Sequence, residues 1–490
     1  MSNSDDNANS PGQTTRKVPA REAPQHSVNV YDNVPETTRP VRRVGPRRRF
    51  PRVPDGARTP DNKPSGPMPP RKQALSAAMA GSPPAIAGVT LIANAELTAV
   101  ATSGTTSSVG EPSVATNGNF VFYTGNWYAA VSGDGGMSFT YLNPYTSFPD
   151  PPGMSFCCDQ VVNYIPSIDM FVWLLQYTTD ANNQNIERLA FATSADAQAN
   201  RWRTYDISPQ DLALPLMMLD FPDLSFSSNN LYVTCNAFDA VGHWTTSLIL
   251  RIPLSSLVSG APSADVWSTN QNFALRAVQH CDATAYFASH VDTSTLRIFR
   301  WDETAAVPLS NDVTVASWEE SPFVSQTPDH FNWLGRADSR VLGSALSNGQ
   351  LWFAWGANSG GANQRPNPYV QIANIDLASW ALIQNVNLWD ASSAIQYAAL
   401  ESTSDGDVGV SYFFGGGTTF PSHAVGFLTG VSDHVVTVSG SFGPVGQLWG
   451  DYLTLRRSSP NGRRLSATAF IQKNGTAEAD VAPRYVLFSR

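Results

Sequence analysis

The chain of 490 residues carries 35 glycines, 35 prolines, 11% aromatic and only 14% charged residues, with a formal net charge of −9. Such a chain suits strands and turns, and it excludes a coiled coil or helical solenoid, which would be far richer in Ala, Glu, Lys, Leu and Arg. No stretch approaches the ~18 consecutive apolar residues of a membrane-spanning helix. The average hides two materials: residues 1–72 hold 14 Lys/Arg and 7 Asp/Glu, a net of +7, whereas the remaining 418 hold 17 and 33, a net of −16.

Residues 1–72 contain 13 prolines, two aromatics (Tyr31 and Phe50) and no apolar period. Together with the small-residue run up to position 87, this reads as a disordered, basic, Pro- and Ala-rich arm that cannot bury enough apolar surface to offset its ordering entropy. Deletion of 1–72 is therefore expected to leave the melting temperature unchanged. The densest charge, Arg42-Arg43-Val44-Gly45-Pro46-Arg47-Arg48-Arg49, offers contact with a polyanion, or serves as a solvated tail or transport address. No aromatics interleave it for base stacking. Met1–Asp6 lacks the basic start and apolar core of a secretory signal; a faint version, Ala74–Ala80, lies deep in the chain. The compartment stays open.

From about residue 88, short apolar strands alternate with Gly, Asn, Asp, Ser and Pro. Seven segments share a pattern of polar start, apolar strand, tight turn and aromatic-rich strand. They begin near Glu111, Cys158 and Phe221, span roughly 273–306, turn at Ser347-Asn348-Gly349 and Ser404-Asp405-Gly406, and restart at Trp449. Asn-Gly and Asp-Gly between apolar runs are strong hairpin signals, because both central positions of a type I′ turn need positive φ. The reading is an all-β protein: a β-propeller over 88–490, seven-bladed, with six compatible because the 273–306 segment is the weakest.

Ser132-Gly133-Asp134-Gly135-Gly136-Met137-Ser138-Phe139 fits Ser-x-Asp-x-Gly-x-x-aromatic. Ser132 and Asp134 can bond turn amides, Gly136 permits positive φ, and Phe139 packs into the sheet. The motif resembles the Asp-box of sialidases and other BNR-repeat propellers. With Gly110–Ala115, Tyr123–Ala130, Phe156–Gln160 and Trp449–Tyr452, the chain is similar to uncharacterised bacterial members of that sialidase-like superfamily over most of 108–490. The resemblance implies a propeller with carbohydrate-associated relatives, a blade-building role for the Asp-box, and possible export. It does not imply sialidase catalysis. That family places its first arginine before the first Asp-box, and Val89–Phe139 contains none. Arg251-Ile252-Pro253 has the letters of that motif but falls at the end of an outer strand.

Glu111, Asp159, Asp223 and Asp451 each precede or open an apolar strand at a similar place. If those strands are innermost, the four carboxylates converge on one rim of the channel. There they would raise one another's pKa or recruit a hard cation such as Ca²⁺, and carboxylate pairs also serve glycoside hydrolysis. No other cofactor is indicated. Tryptophans in or beside strands mostly fill the space between blades; Trp333, Trp449 and Tyr452 are the candidates for stacking on sugar. His330 is the histidine to test as general base or ligand. Of the four cysteines, Cys157 or Cys158 could bridge to Cys235 or Cys281 in an oxidising compartment, whereas an adjacent Cys157–Cys158 bond is not expected. The functional expectation is a carbohydrate-binding or carbohydrate-active monomer, a glycoside hydrolase or polysaccharide lyase if an enzyme. The acidic body argues against nucleic acid on the propeller. The competing reading is a non-catalytic scaffold for protein–protein interaction.

Overall fold

The computed structural model describes residues 12–31, 88–97, 106, 109–320, 322–429, 433–444, 449–473, 475–476 and 480–490. They form a seven-bladed β-propeller of antiparallel sheets. The first strands of blades 1 to 7 are Ser113–Asn117, Phe156–Ile165, Met218–Phe226, Arg276–Ala277, Val341–Ser347, Ala394–Ser402 and Leu455–Arg457. Each of these contacts the first strands of its two neighbours, so together they ring a central channel. Blade 4, the weakest in the sequence, has a first strand of only two residues, yet its remaining three strands are regular.

Seven apolar clusters fill the wedges, one between each pair of adjacent blades. This arrangement explains the aromatic content: a wedge widens outward and needs large rings. Between blades 1 and 2, Trp173 is fully buried, with Phe122 at 5.0 Å and Trp202 at 5.8 Å in edge-on contacts. The ring closes with Thr90–Glu96, which pairs antiparallel with Val481–Ser489 and supplies the outer strand of blade 7. Among the described residues no helix is long and apolar enough to cross a membrane.

The arm departs from expectation over residues 12–31. Gln13–Val18 pairs with Ala264–Thr269 on the outer edge of blade 3, Gln25–Ser27 with Arg201–Ile207 on blade 2, and Val30–Tyr31 with Thr140–Leu142 on blade 1. These blades thus carry five strands. The segment showed no apolar period because its order comes from main-chain pairing to existing edges, with only Val18, Ala23 and Val28 burying apolar side chains. Arg21 adds a fork to Asp211, at 3.2 and 3.0 Å. Deleting the arm is therefore no longer expected to be neutral. The Arg42–Arg49 run lies outside the described residues.

Candidate functional site

The channel has one rim to which every blade contributes. Glu111 comes from the approach to blade 1, Asp159 from the first strand of blade 2, and Asp220, Phe221 and Asp223 from that of blade 3. Arg276 opens blade 4, Arg336 and Arg340 precede blade 5, Tyr397 belongs to blade 6, and Asp451 and Tyr452 precede blade 7. The seam between blades 7 and 1 is tight. Gly450, at φ 97°, lies so close to Gly110 that a Cβ would stand 3.1 Å from the Gly110 nitrogen. That approach sets Asp451 beside Glu111.

Asp451 is the anchor. Arg336 grips it with a fork, Nε to Oδ1 at 3.2 Å and Nη2 to Oδ2 at 3.1 Å, and Arg340 Nη2 stands 3.5 Å from the same Oδ2. Burial alone would raise the Asp451 pKa; Arg336 and then Arg340 reverse this and hold it below the ordinary carboxylate range. Arg336 also reaches Glu111 Oε1 at 3.7 Å. Glu111 is nevertheless pushed well above its ordinary value, first by burial and then by Asp159 and Asp451. Asp159, half-buried, is raised to about 7 by desolvation, Asp220 and Asp451, against the hydrogen bond from Glu111 and the attraction of Arg336. Burial thus favours the protonated form of Glu111 and Asp159, whereas the two arginines favour the ionised form of Asp451.

Asp223 has arginine partners of its own. It pairs with Arg276 at 3.3 Å and approaches Arg456 at 3.9 Å. Tyr452 joins the two groups: burial and then the fields of Asp159, Glu111, Asp451 and Asp223 raise its hydroxyl pKa. The four carboxylates thus lie around one tyrosine. A Ca²⁺ ion among them is not the arrangement found. Arginines meet their charges, and among the described residues no three His, Cys, Asp or Glu side chains are placed to hold a metal ion.

Other expectations need correction. Trp333 and Trp449 are buried to 0% and 1% exposure and pack edge-on at 6.0 Å in the wedge between blades 6 and 7, so neither has a face free for a sugar. Tyr452 is likewise 5% exposed, although its hydroxyl lies in the site. His330 is an exposed turn residue at φ 68°, its amide donating to the Thr327 carbonyl, and takes no part in the rim network. Cys157 and Cys158 are disulfide-bonded to each other, immediately before Asp159. Cys235 and Cys281 are free and buried in separate wedges, between blades 2 and 3 and between blades 4 and 5, which leaves them no route to a bridge at the rim. Arg251 lies on the third strand of blade 3, bonded to Asp265 at 2.8 Å and stacked over Trp301.

Ser132 and Asp134 turn the chain between the third and fourth strands of blade 1, Ala129–Ser132 and Thr140–Leu142. Ser132 Oγ accepts from the Gly136 amide at 2.9 Å, and Asp134 Oδ1 accepts from the Met137 and Ser138 amides at 2.9 and 3.0 Å. Phe139 packs on Tyr123 and Tyr485. The sequence carries a signal for the basic half of the rim as well, since Arg276, Arg336, Arg340 and Arg456 occupy the same stations before or within first strands as the acids.

The chain matches no known protein family and no curated protein. Among solved structures it is similar to the GH93 α-L-arabinofuranosidase of Fusarium graminearum in complex with arabinobiose, at 8% identity over 78% of this chain and 92% of that one, with a TM-score of 0.37. It is also similar to the sialidase of Trypanosoma rangeli in complex with sialic acid (7% identity, 67% and 53% covered, TM-score 0.37). BBS1N in complex with ARL6DN stands at the same distance (7% identity, 76% and 87% covered, TM-score 0.40). Likeness so remote, shared by carbohydrate-active enzymes and a protein-bound chain, carries nothing about what this chain binds.

Proposed function

We propose that this propeller is a carbohydrate-active protein that cleaves glycosidic bonds at the channel rim. What supports the reading is one observation: the rim carboxyl groups stand in unlike settings, Asp451 gripped by Arg336 and Arg340 and Glu111 buried at the far reach of the same Arg336. Glycoside hydrolysis needs an acid that still holds its proton near neutrality and a carboxylate that does not, and separate environments are what create that pair. Asp159, half-buried and with its pKa raised, donates its proton to the leaving oxygen as the glycosidic bond breaks; a water adds to the anomeric carbon and returns a proton to Asp159. Asp451, kept ionised by Arg336 and Arg340, faces the positive charge that develops at the sugar.

The experiment is a glycan-array screen coupled to hydrolysis assays on neutral and acidic polysaccharides. Expected are cleavage by the wild type and, in Asp159→Asn, a loss of turnover of about 10²–10⁴-fold with binding retained. Recovery of a protein partner by pull-down, with no glycan bound or cleaved, would favour the scaffold reading and overturn this one.

A further inference from the structure

In blades 2, 3 and 6 the rim residues lie in a bulge of the first strand, and the bulges are not alike. In blade 3 Phe221 and Pro222 stand opposite Cys235, and in blade 6 Tyr397 and Ala398 stand opposite Tyr412. Each of these turns on a left-handed aromatic, Phe221 at φ 55° and Tyr397 at φ 61°, a conformation that persists only where the surroundings impose it. Packing imposes it here: Phe221 lies against Arg340 and Tyr452, and Tyr397 against Trp333 and Phe413. Blade 2 is different. Its bulge is wider, with Cys157, Cys158 and Asp159 opposite Gln176, and none of the three is left-handed. It contains the Cys157–Cys158 disulfide instead. Neighbouring side chains of a regular strand point to opposite faces, so adjacent cysteines can bond only where the strand departs from that geometry. The two ends of the segment are fixed. Phe156 is buried against Tyr145 and Tyr177, while Gln160 Nε2 donates to the Tyr128 carbonyl at 3.0 Å and its Oε1 accepts from the Trp173 indole at 2.9 Å. Between those ends Cys157, Cys158 and Asp159 are half-buried.

We propose that the Cys157–Cys158 disulfide positions Asp159 and switches the site by redox state: oxidised, it locks the bulge that presents Asp159 to Glu111; reduced, it frees the bulge and the site loses its acid. The inference rests on the reading of Asp159 as proton donor and adds a control to it. Where blades 3 and 6 hold the bulge by packing, blade 2 holds it by a covalent bond that a reductant opens. That reductant has a single target, because Cys235 and Cys281, the other two of the four cysteines, are free and buried. A dithiol supplies the electrons. One of its thiolates attacks a sulfur of the pair, the S–S bond breaks and a mixed disulfide forms; its second thiolate then displaces the protein sulfur. The pair ends as two thiols, having gained two electrons and two protons, and the reductant leaves as its own disulfide. Once open, the two side chains return to opposite faces of the strand, and Asp159, the next residue, turns with them. It thereby leaves the groups that face it: Glu111 before blade 1, Glu187 on the third strand of its own blade, Asp220 on blade 3, Arg336 before blade 5, and Asp451 and Tyr452 before blade 7.

The test takes the full wild-type chain through oxidised, dithiothreitol-reduced and reoxidised states, with alkylation and mass spectrometry to locate the thiols. Reduction should lower turnover of the glycan that the hydrolysis assays return by about 10²-fold, the cost of a small misplacement of a reacting group, and reoxidation should restore it. Cys157→Ser combined with Cys158→Ser should match the reduced wild type and ignore dithiothreitol. Asp159→Asn, already without its acid, should not respond to the reductant either. The reversible cycle on wild type does not depend on either variant folding. A readout separate from turnover is the titration of Asp159, followed as the carboxyl signal of carbon-13-labelled aspartate that Asp159→Asn removes. Its midpoint should lie at about 7 in the oxidised chain and move toward the ordinary 3.8 on reduction. A midpoint that stays in place overturns the proposal, as do equal turnover in the two states or free thiols at Cys157 and Cys158 in the untreated chain. A wild type that cleaves no glycan would sink the catalytic reading alone, and the titration would still decide whether the disulfide positions Asp159.

Discussion

The channel rim and the outer edge of the same blades treat carboxylates in opposite ways. At the edge, Asp134 is exposed and satisfied within four residues by amides and hydroxyls of its own turn, which hold its pKa well below the ordinary range. At the rim, Asp159 has like charges for neighbours and rises to about 7. Asp451 escapes that fate through arginines 115 and 111 residues away in sequence. Local chemistry builds the blade; only ring closure builds the rim. A carboxylate's position across the radius of the propeller thus decides whether it stabilises the fold or is left available for reaction.

The contrast can be broken from either side. Arg336→Met removes the fork on Asp451 and should cost about 2–4 kcal/mol, since it strips a buried carboxylate of one partner while Arg340 keeps the other. Denaturant melts should show the midpoint falling at constant slope. Turnover should fall with it, because Asp451 then rises toward the protonated state. Removal of residues 1–31 comes next. It takes the fifth strand from three blades together with the buried Val18, Ala23 and Val28, and should cost about 2 kcal/mol after the ordering entropy of that segment is credited. Glycan affinity should not change. A neutral deletion would show that the paired edge contributes nothing to the ring.

Asp134→Ala should cost about 1 kcal/mol, comparable with loss of a helix cap, with activity unmoved. A last test is in pH. Asp159 has an ordinary value of 3.8 and a folded value of about 7. The folded state therefore binds this proton more tightly, and the stability it brings is complete below about pH 4 and is lost as pH rises to about 7. In Asp159→Asn the melting temperature should be flatter across that window than in the wild type. Asp134 runs the other way: its contribution is present above its ordinary value and is lost only in stronger acid. A wild-type profile that rises between those limits and is unaltered by Asp159→Asn would remove the distinction between edge and rim.

These same distances explain what could be read from the sequence. Ser132 and Asp134 were legible because their partners are amides two to four residues on. The blades were legible because alternation and Asn-Gly turns are local. Glu111, Asp159, Asp223 and Asp451 could be aligned by their place in each unit, but what each carboxylate meets depends on the neighbouring blade. Trp333 and Trp449 carry no mark that separates a wedge filler from a sugar platform, since both uses want a large ring. The left-handed backbone of Phe221 left no glycine to advertise it. In residues 12–31 the signal was missing for another reason: pairing by main chain needs no particular side chain.

The outer strands impose an order on assembly. Leaving the ribosome, the chain presents its first strands to nothing: Gln13–Val18 waits for Ala264–Thr269, and Thr90–Glu96 waits for Val481–Ser489. The edge pairings then run backwards through the ring, from blade 3 to blade 2 to blade 1, with the closing strand added to blade 7. The closing strand Thr90–Glu96 waits longest for its partner. Until residue 489 has been synthesised the propeller is an open arc with an unpaired edge at each end, which makes slow or truncated synthesis its most aggregation-prone moment.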